Sequence, residues 1–248
     1  MSNLSRRAWM TVGAGVAVGA SGFALADKQG LIPPDCGGVY GLGTSLTYSA
    51  HRLLTRNSMA REFPRSAISE RPVANGVGLK EEELKRLDGE GRASWKLTFE
   101  GLVDKPGSLT LEQIQNFPSK SQITHLACEE GWSYIAEWSG AQLADVLKAV
   151  GMKSTAKFIV YTSMEEGWWD SIDMSDALHP QTLLAYGLNG GALPAANGGP
   201  LRMRVPRQLG YKSVKFINRI TVTDSLKGFG KGLGSAAPEA GYAWYAGI

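Results

Sequence analysis

Hydrophobic and polar residues alternate with a period of two at several places along this chain, the mark of half-buried β-strands. Trp95-Lys96-Leu97-Thr98-Phe99 is one such stretch, and it runs on to the turn-forming Asp104-Lys105-Pro106-Gly107. Phe158 to Tyr161 reads as a buried strand, and Trp168 to Met174 as a second in which aromatic and polar residues mix. Thr182 to Tyr186 is a third, stopped by Asn189-Gly190, a pair suited to a tight hairpin turn. Leu201, Met203 and Val205 alternate with Arg202 and Arg204, and Ile220 and Val222 form a last alternating pair.

Helical spacing is rarer. Leu79 to Leu87 predicts a short helix supported by Glu81/Lys85 and Glu82/Arg86. Thr110 predicts a capped helix start with Gln113 reaching back to it, and Pro118 lies just beyond. Leu143, Val146, Leu147 and Val150 share one helical face, with Ser139 as candidate cap and Gly151 as stop. Strands outnumber helices and are interrupted by them irregularly. The expected class is α+β with a mostly β body and peripheral helices, not a regular βαβ series.

Organisation follows from the same pass. Arg6-Arg7 precedes an uncharged Gly/Ala/Val-rich run from Thr11 to Ala26, which closes on the small-x-small pattern Ala24-Leu25-Ala26. Adjacent arginines before a mildly apolar run read as a twin-arginine signal, a route that exports proteins already folded. Residues 1–26 are therefore expected to be a signal peptide and the protein periplasmic. Residues 27–92 form a linker and wrapping segment, 93–226 the main domain, and 227–248 a glycine-rich irregular tail. The net charge of +3 carries no argument for nucleic acid, and no arginine-rich run is present.

The candidate chemistry gathers on two stretches. The first is Thr124-His125-Leu126-Ala127-Cys128-Glu129-Glu130-Gly131-Trp132-Ser133, which holds one of only two cysteines. In such a setting a thiol is an inert core residue, a nucleophile, or a ligand to a soft metal centre. In an oxidising compartment Cys128 could also pair with Cys36, although Cys36 sits in the loose Pro-Pro-Asp-Cys-Gly-Gly linker. His51, His125 and His179 show no metal-ligand spacing, and there is no haem-attachment or iron–sulfur cysteine series. The second stretch runs from Asn197-Gly198-Gly199-Pro200-Leu201-Arg202-Met203-Arg204 to Gly210-Tyr211-Lys212-Ser213-Val214-Lys215. Its glycines, arginines, lysines, serine and asparagine suit a cradle for a phosphate and a polar heterocycle. The plainer alternative is a turn and a strand whose basic residues face water.

Together these stretches resemble the molybdopterin-binding domain of the sulfite oxidase family, most closely the exported catalytic subunits of the methionine-sulfoxide-reductase type. The likeness covers roughly Trp95 to Asp224. It implies an oxidoreductase carrying molybdenum and molybdopterin, with Cys128 as the protein thiolate on the metal. It implies pterin contacts from Asn197, Arg202 and Ser163, and a phosphate site from Ser213, Val214 and Lys215. His51 and Arg52 fall in an N-terminal segment that also touches the cofactor in that family. Trp132, Trp168 and Trp169 are candidate pocket walls. Where the animal and plant sulfite oxidases carry an arginine-bearing segment, this chain has Glu129 and Glu130, which would repel sulfite. The resemblance thus implies two-electron oxygen-atom transfer, such as reduction of an S-oxide, on a small-molecule or methionine-sulfoxide substrate. A membrane haem subunit or a soluble cytochrome would supply electrons. The alternatives are a sulfite-type or other small-molecule dehydrogenase, or a cofactor-free exported binding domain with the same fold.

Overall fold

The computed structural model describes residues 22–75 and 78–248. Most of the expected signal peptide, including Arg6 and Arg7, lies outside the described residues. The body is α+β and is built on two five-stranded sheets that are antiparallel except for one pair.

The first sheet has the order β2-β1-β10-β5-β6. Its strands are β1 (Lys96–Gly101), β2 (Gly107–Thr110), β5 (Phe158–Ser163), β6 (Trp169–Asp173) and β10 (Ile217–Thr223). In β1 Leu97 and Phe99 point inward while their neighbours do not, as the alternation predicts. The one parallel pair is β1 with β10. Strand β5 is buried over most of its length, which explains its unbroken apolar run.

The second sheet runs β3-β4-β7-β8, with β9 (Arg202–Arg204) added along β7. Strands β3 (Ser119–Ala127) and β4 (Ser133–Gln142) form a nine-pair hairpin from Ser119↔Ala141 to Ala127↔Ser133. β7 (Leu183–Leu188) turns into β8 (Gly191–Ala192) through Asn189 and Gly190, both at positive φ, as that pair predicts. The main core lies between the sheets and the peripheral helices.

Two local expectations change and a third holds. Ser139 caps nothing: it belongs to β4, which continues to Gln142, so the helix occupies only Leu143–Ala149. In helix Glu81–Asp88, Lys85 pairs with Glu81, but Arg86 pairs with Glu83, one turn position nearer than Glu82. The Thr110/Gln113 capping box forms as written in the sequence.

The flanking segments are tied to this body by buried polar contacts. Helix α1 (Gly41–Leu54) buries Tyr48 and Arg52 against the end of β6. Arg52 donates to Asp173 at 2.7 Å and to Asp176 at 2.5 Å, and the Tyr48 hydroxyl donates to Asp173 at 2.6 Å. From the other end of the chain, Trp244 and Tyr245 pack on Tyr48. Both cysteines are free thiols.

Candidate molybdopterin site

The hairpin β3–β4 places Cys128. Its turn spans Cys128 to Trp132, closed by the Cys128 N–H donating to the Trp132 carbonyl at 2.9 Å. The Gly131 N–H donates back to the Cys128 carbonyl at 3.1 Å. Gly131 sits at φ +91°, a conformation that a side chain would strain, so the glycine lets the loop fold back. The sulfur faces a cavity of about 340 Å³, within the range of cofactor sites.

One wall of the cavity is basic. Arg202, Ser213, Val214 and Lys215 all line it. Arg202 and its neighbour Arg204 are 4% and 0% exposed, which rules out the solvated-strand alternative. Alternation fails here because β9 is covered on both faces. Arg202 donates to the carbonyls of Asn197 (2.7 Å) and Ser213 (2.5 Å). Arg204 donates to the His125 carbonyl at 2.7 Å and the Thr124 hydroxyl at 3.1 Å, and both guanidiniums lie against the Trp138 ring. Among the described residues no carboxylate comes within ion-pair reach of Arg202, Arg204 or Lys215. The Arg202 Nε, also buried, has no acceptor.

Lys215 donates to the Asn75 carbonyl at 2.9 Å. Burial first, and Arg202 second, push its ammonium down to about 8. The next residue, Phe216, holds φ at +51°, a geometry that a non-glycine residue keeps only where its surroundings fix it. Such uncompensated buried cations are what an anionic, phosphate-bearing ligand would satisfy.

Acidic and aromatic residues line the same cavity. Glu129 and Glu130 lie 3.3 and 3.8 Å from the Cys128 sulfur, and Trp132 Nε1 donates to Glu130 at 2.8 Å. Glu165, Glu166 and Trp168 line it too; Glu165 accepts the Gly78 N–H at 2.7 Å, and its charge acts on Arg202 and Lys215 from beyond ion-pair distance. Burial, helped by the hydrogen bond and charge of Glu129 and the charge of Glu130 and opposed by the Glu130 backbone N–H, pushes the Cys128 thiol up to about 12. A bound metal cation would reverse that preference by favouring the thiolate. The residues therefore fit the cofactor: a soft ligand and cations without an ion-pair partner line one cavity.

The sequence-predicted residues divide into three groups. Cys128, Arg202, Ser213, Val214 and Lys215 converge on the cavity. Asn197 and Ser163 stand behind it. The Asn197 carbonyl holds Arg202, and the Ser163 hydroxyl donates to the Lys215 carbonyl at 2.9 Å. His51 and Arg52 are not brought there: Arg52 is captured by Asp173 and Asp176, and His51 meets the Tyr245 hydroxyl at 3.2 Å. Trp132 and Trp168 wall the cavity, whereas Trp169 packs on Phe229.

The glycines of the second stretch serve packing between protein segments. A Cβ on Gly198 would meet the Lys215 side chain at 2.7 Å, and one on Gly199 would collide with the Leu193 carbonyl. Sequence reasoning missed Val73, Asn75, Tyr134, Glu165 and Glu166 on the walls. Only the Glu165-Glu166 pair beside two tryptophans carried a signal that could have been read.

A fold of this kind, with a lone thiol facing an unpaired basic wall, defines a cofactor-binding redox domain. Residues 83–228 match the family model of the oxidoreductase molybdopterin binding domain, more than half the chain, and the chain belongs to that family. It is a molybdopterin-dependent oxidoreductase.

Among its relatives is a protein of Azospira oryzae provisionally named protein-methionine-sulfoxide reductase subunit YedZ1. The two are 35% identical over 79% of this chain and 70% of that protein. The protein-methionine-sulfoxide reductase catalytic subunit MsrP of Xanthomonas campestris is 35% identical over 53% of this chain and 46% of its own. MsrP of Campylobacter jejuni is 34% identical over 52% and 49%. The chain thus spans about half the length of the MsrP subunits. The crystal structure of the sulfane dehydrogenase SoxCD from Paracoccus pantotrophus shares the fold, with a TM-score of 0.53, 22% identity, and coverage of 68% of this chain and 46% of that one.

Proposed function

We propose that this chain is an exported molybdopterin-dependent S-oxide reductase, acting on methionine sulfoxide or a related neutral S-oxide. The observation that carries the reading is the set of four glutamates on the cavity lining, two of them beside Cys128. Glu129, Glu130, Glu165 and Glu166 all border the cavity, so an anion such as sulfite meets like charge there. A neutral S-oxide does not, and Trp132 and Trp168 offer apolar faces for its alkyl arms. The names carried by the relatives support the same substrate class.

When bound, the cofactor would supply two-electron redox chemistry of the oxygen-transfer kind. The chain's own residues do the rest. Cys128 anchors the metal end as thiolate, while Arg202, Ser213 and Lys215 hold the anionic end. Asn197 and Ser163 keep Arg202 and Lys215 in place from behind. Two protons per turnover must reach the oxygen that leaves as water, and Glu129 and Glu130 are the wall acids nearest Cys128. The electron donor in this reading is a separate protein, a membrane haem subunit or a soluble cytochrome, in keeping with relatives that are named as subunits. Arg6-Arg7 and the uncharged run ending in Ala24-Leu25-Ala26 support export by the twin-arginine route to the periplasm.

The test is molybdenum content by elemental mass spectrometry, for wild type and Cys128→Ser made in a host that synthesises molybdopterin. It is joined to steady-state assays with S-oxides, N-oxides and sulfite. About one molybdenum per wild-type chain, with turnover of S-oxides lost in the variant, is the expected result. Loaded enzyme that oxidises sulfite and leaves S-oxides untouched would overturn the substrate assignment.

A further inference from the structure

Helix α1 is amphipathic in the unusual sense: its polar face is the buried one. Thr44, Tyr48 and Arg52 turn toward the body, and the last two bond to Asp173. At about 100° per residue, Leu42, Leu46, Ala50, Leu53 and Leu54 fall within roughly a third of a turn on the other side. There Leu42 is 82% exposed, Leu46 70%, Leu53 67% and Leu54 81%. Val39 and Tyr40, just before the helix, are exposed as well. Water-facing leucines singly placed need no explanation, but a stripe of four on one helix does.

Around the stripe in sequence the exposed charges are cationic in excess, Lys28, Arg56 and Arg61 against Asp27 and Glu62. Exposed Arg56 and Arg61 follow its C-terminal end, with exposed Met59 between them. Upstream, exposed Lys28 lies just past the expected signal peptide. Apolar side chains flanked by arginine and lysine suit the boundary between acyl chains and anionic headgroups. With 14 residues α1 is too short to span a bilayer, and among the described residues no helix is long and apolar enough to do so.

We infer that α1 is a lipid-docking element that lays its leucine face on an anionic membrane surface. The buried contacts of Arg52 and Tyr48 fix the polar face to the protein, so the leucines remain outward whether or not lipid is present. Docking would hold the enzyme at the bilayer, in reach of a membrane-bound electron donor. The binding itself depends neither on the cofactor nor on the proposed substrate.

The experiment is vesicle flotation of the full purified protein with phosphatidylcholine vesicles, with and without about a quarter phosphatidylglycerol. A Leu42→Glu/Leu46→Glu/Leu53→Glu variant and an Arg56→Glu/Arg61→Glu variant are run beside it. All five positions are exposed, and an unchanged melting temperature checks that the variants fold. Wild type should float with the anionic vesicles, the leucine variant should lose most of that fraction, and the arginine variant should lose the preference for anionic lipid. Three results would overturn the inference. Wild type could stay at the bottom of the gradient. The leucine variant could float as well as wild type, which would assign binding to the N-terminal apolar run. Or wild type could form a dimer by sedimentation velocity that the leucine variant lacks, without flotation, which would assign the stripe to a second copy of the chain.

Discussion

The Cys128 sulfur lies 3.3 Å from the Glu129 carboxylate, so the thiol donates its proton inside the cavity. Burial and this partner keep it protonated up to about 12 in the cofactor-free chain. Its alkylation by iodoacetamide at pH 8 is expected to be more than about tenfold slower than that of an ordinary thiol. Half-exposed Cys36 provides a reference in the same molecule. Glu129→Gln should speed the Cys128 reaction, and peptide mass spectrometry after timed quenching reads both sites. The sign for stability follows. An unfolded thiol ionises from about 9 while the folded one does not, so the cofactor-free chain loses stability as pH rises from about 9 toward 12.

Lys215 responds in the opposite direction. Its ammonium is held down to about 8, so below that pH it is charged and above it neutral. Anion holding by the cofactor-free chain should weaken as pH rises through 8. Reloading with molybdopterin at pH 7 and pH 9, followed by pterin fluorescence of the washed protein, checks this, and Lys215→Arg should lessen the difference. Because the unfolded chain binds the extra proton between about 8 and 10.5, the group adds stability as pH rises across that window.

Arg52 is expected to be a stability residue. Its removal leaves Asp173 and Asp176 buried without their main counter-charge, although Arg207 remains 3.6 Å from Asp176. Arg52→Ala should cost about 3–5 kcal/mol, seen as a lower denaturant midpoint. A folded Arg52→Ala protein that still takes up one molybdenum would confirm that the residue acts away from the cavity.

Gly198 at φ +100° packs against the Lys215 stem. Gly198→Ala adds a Cβ 2.7 Å from that side chain and strains the backbone by about 1–2 kcal/mol. The expected outcome is a small fall in melting temperature with a larger loss of bound pterin, because Lys215 is pushed from its place. Equal pterin retention would show that Lys215 tolerates the shift.

Much of this protein was legible in one dimension. Period-two alternation marked β1 and the buried face of β10, Asn189-Gly190 marked the β7–β8 turn, and Thr110/Gln113 marked a helix start. These are local signals, set by a few neighbouring side chains and their φ/ψ preferences, and tertiary packing did not overrule them. The two motifs around Cys128 and Arg202 to Lys215 were also visible, because ligand types and spacing are written in sequence.

What only the tertiary structure decided was which polar residues lose water and what they then face. Arg202 and Arg204 look like the solvent side of a strand until β7 and the Trp138 ring cover them. Ser139 looks like a helix cap until pairing with β3 extends β4 past it. Arg52 stands beside leucines in sequence, but across more than a hundred residues it meets Asp173 and Asp176, so it serves the fold and turns those leucines outward. Glu165 reaches the same cavity as Cys128 only because β5 and the β3–β4 hairpin are brought together. Burial and charge pairing are set by segments distant in sequence, and no local pattern encodes them.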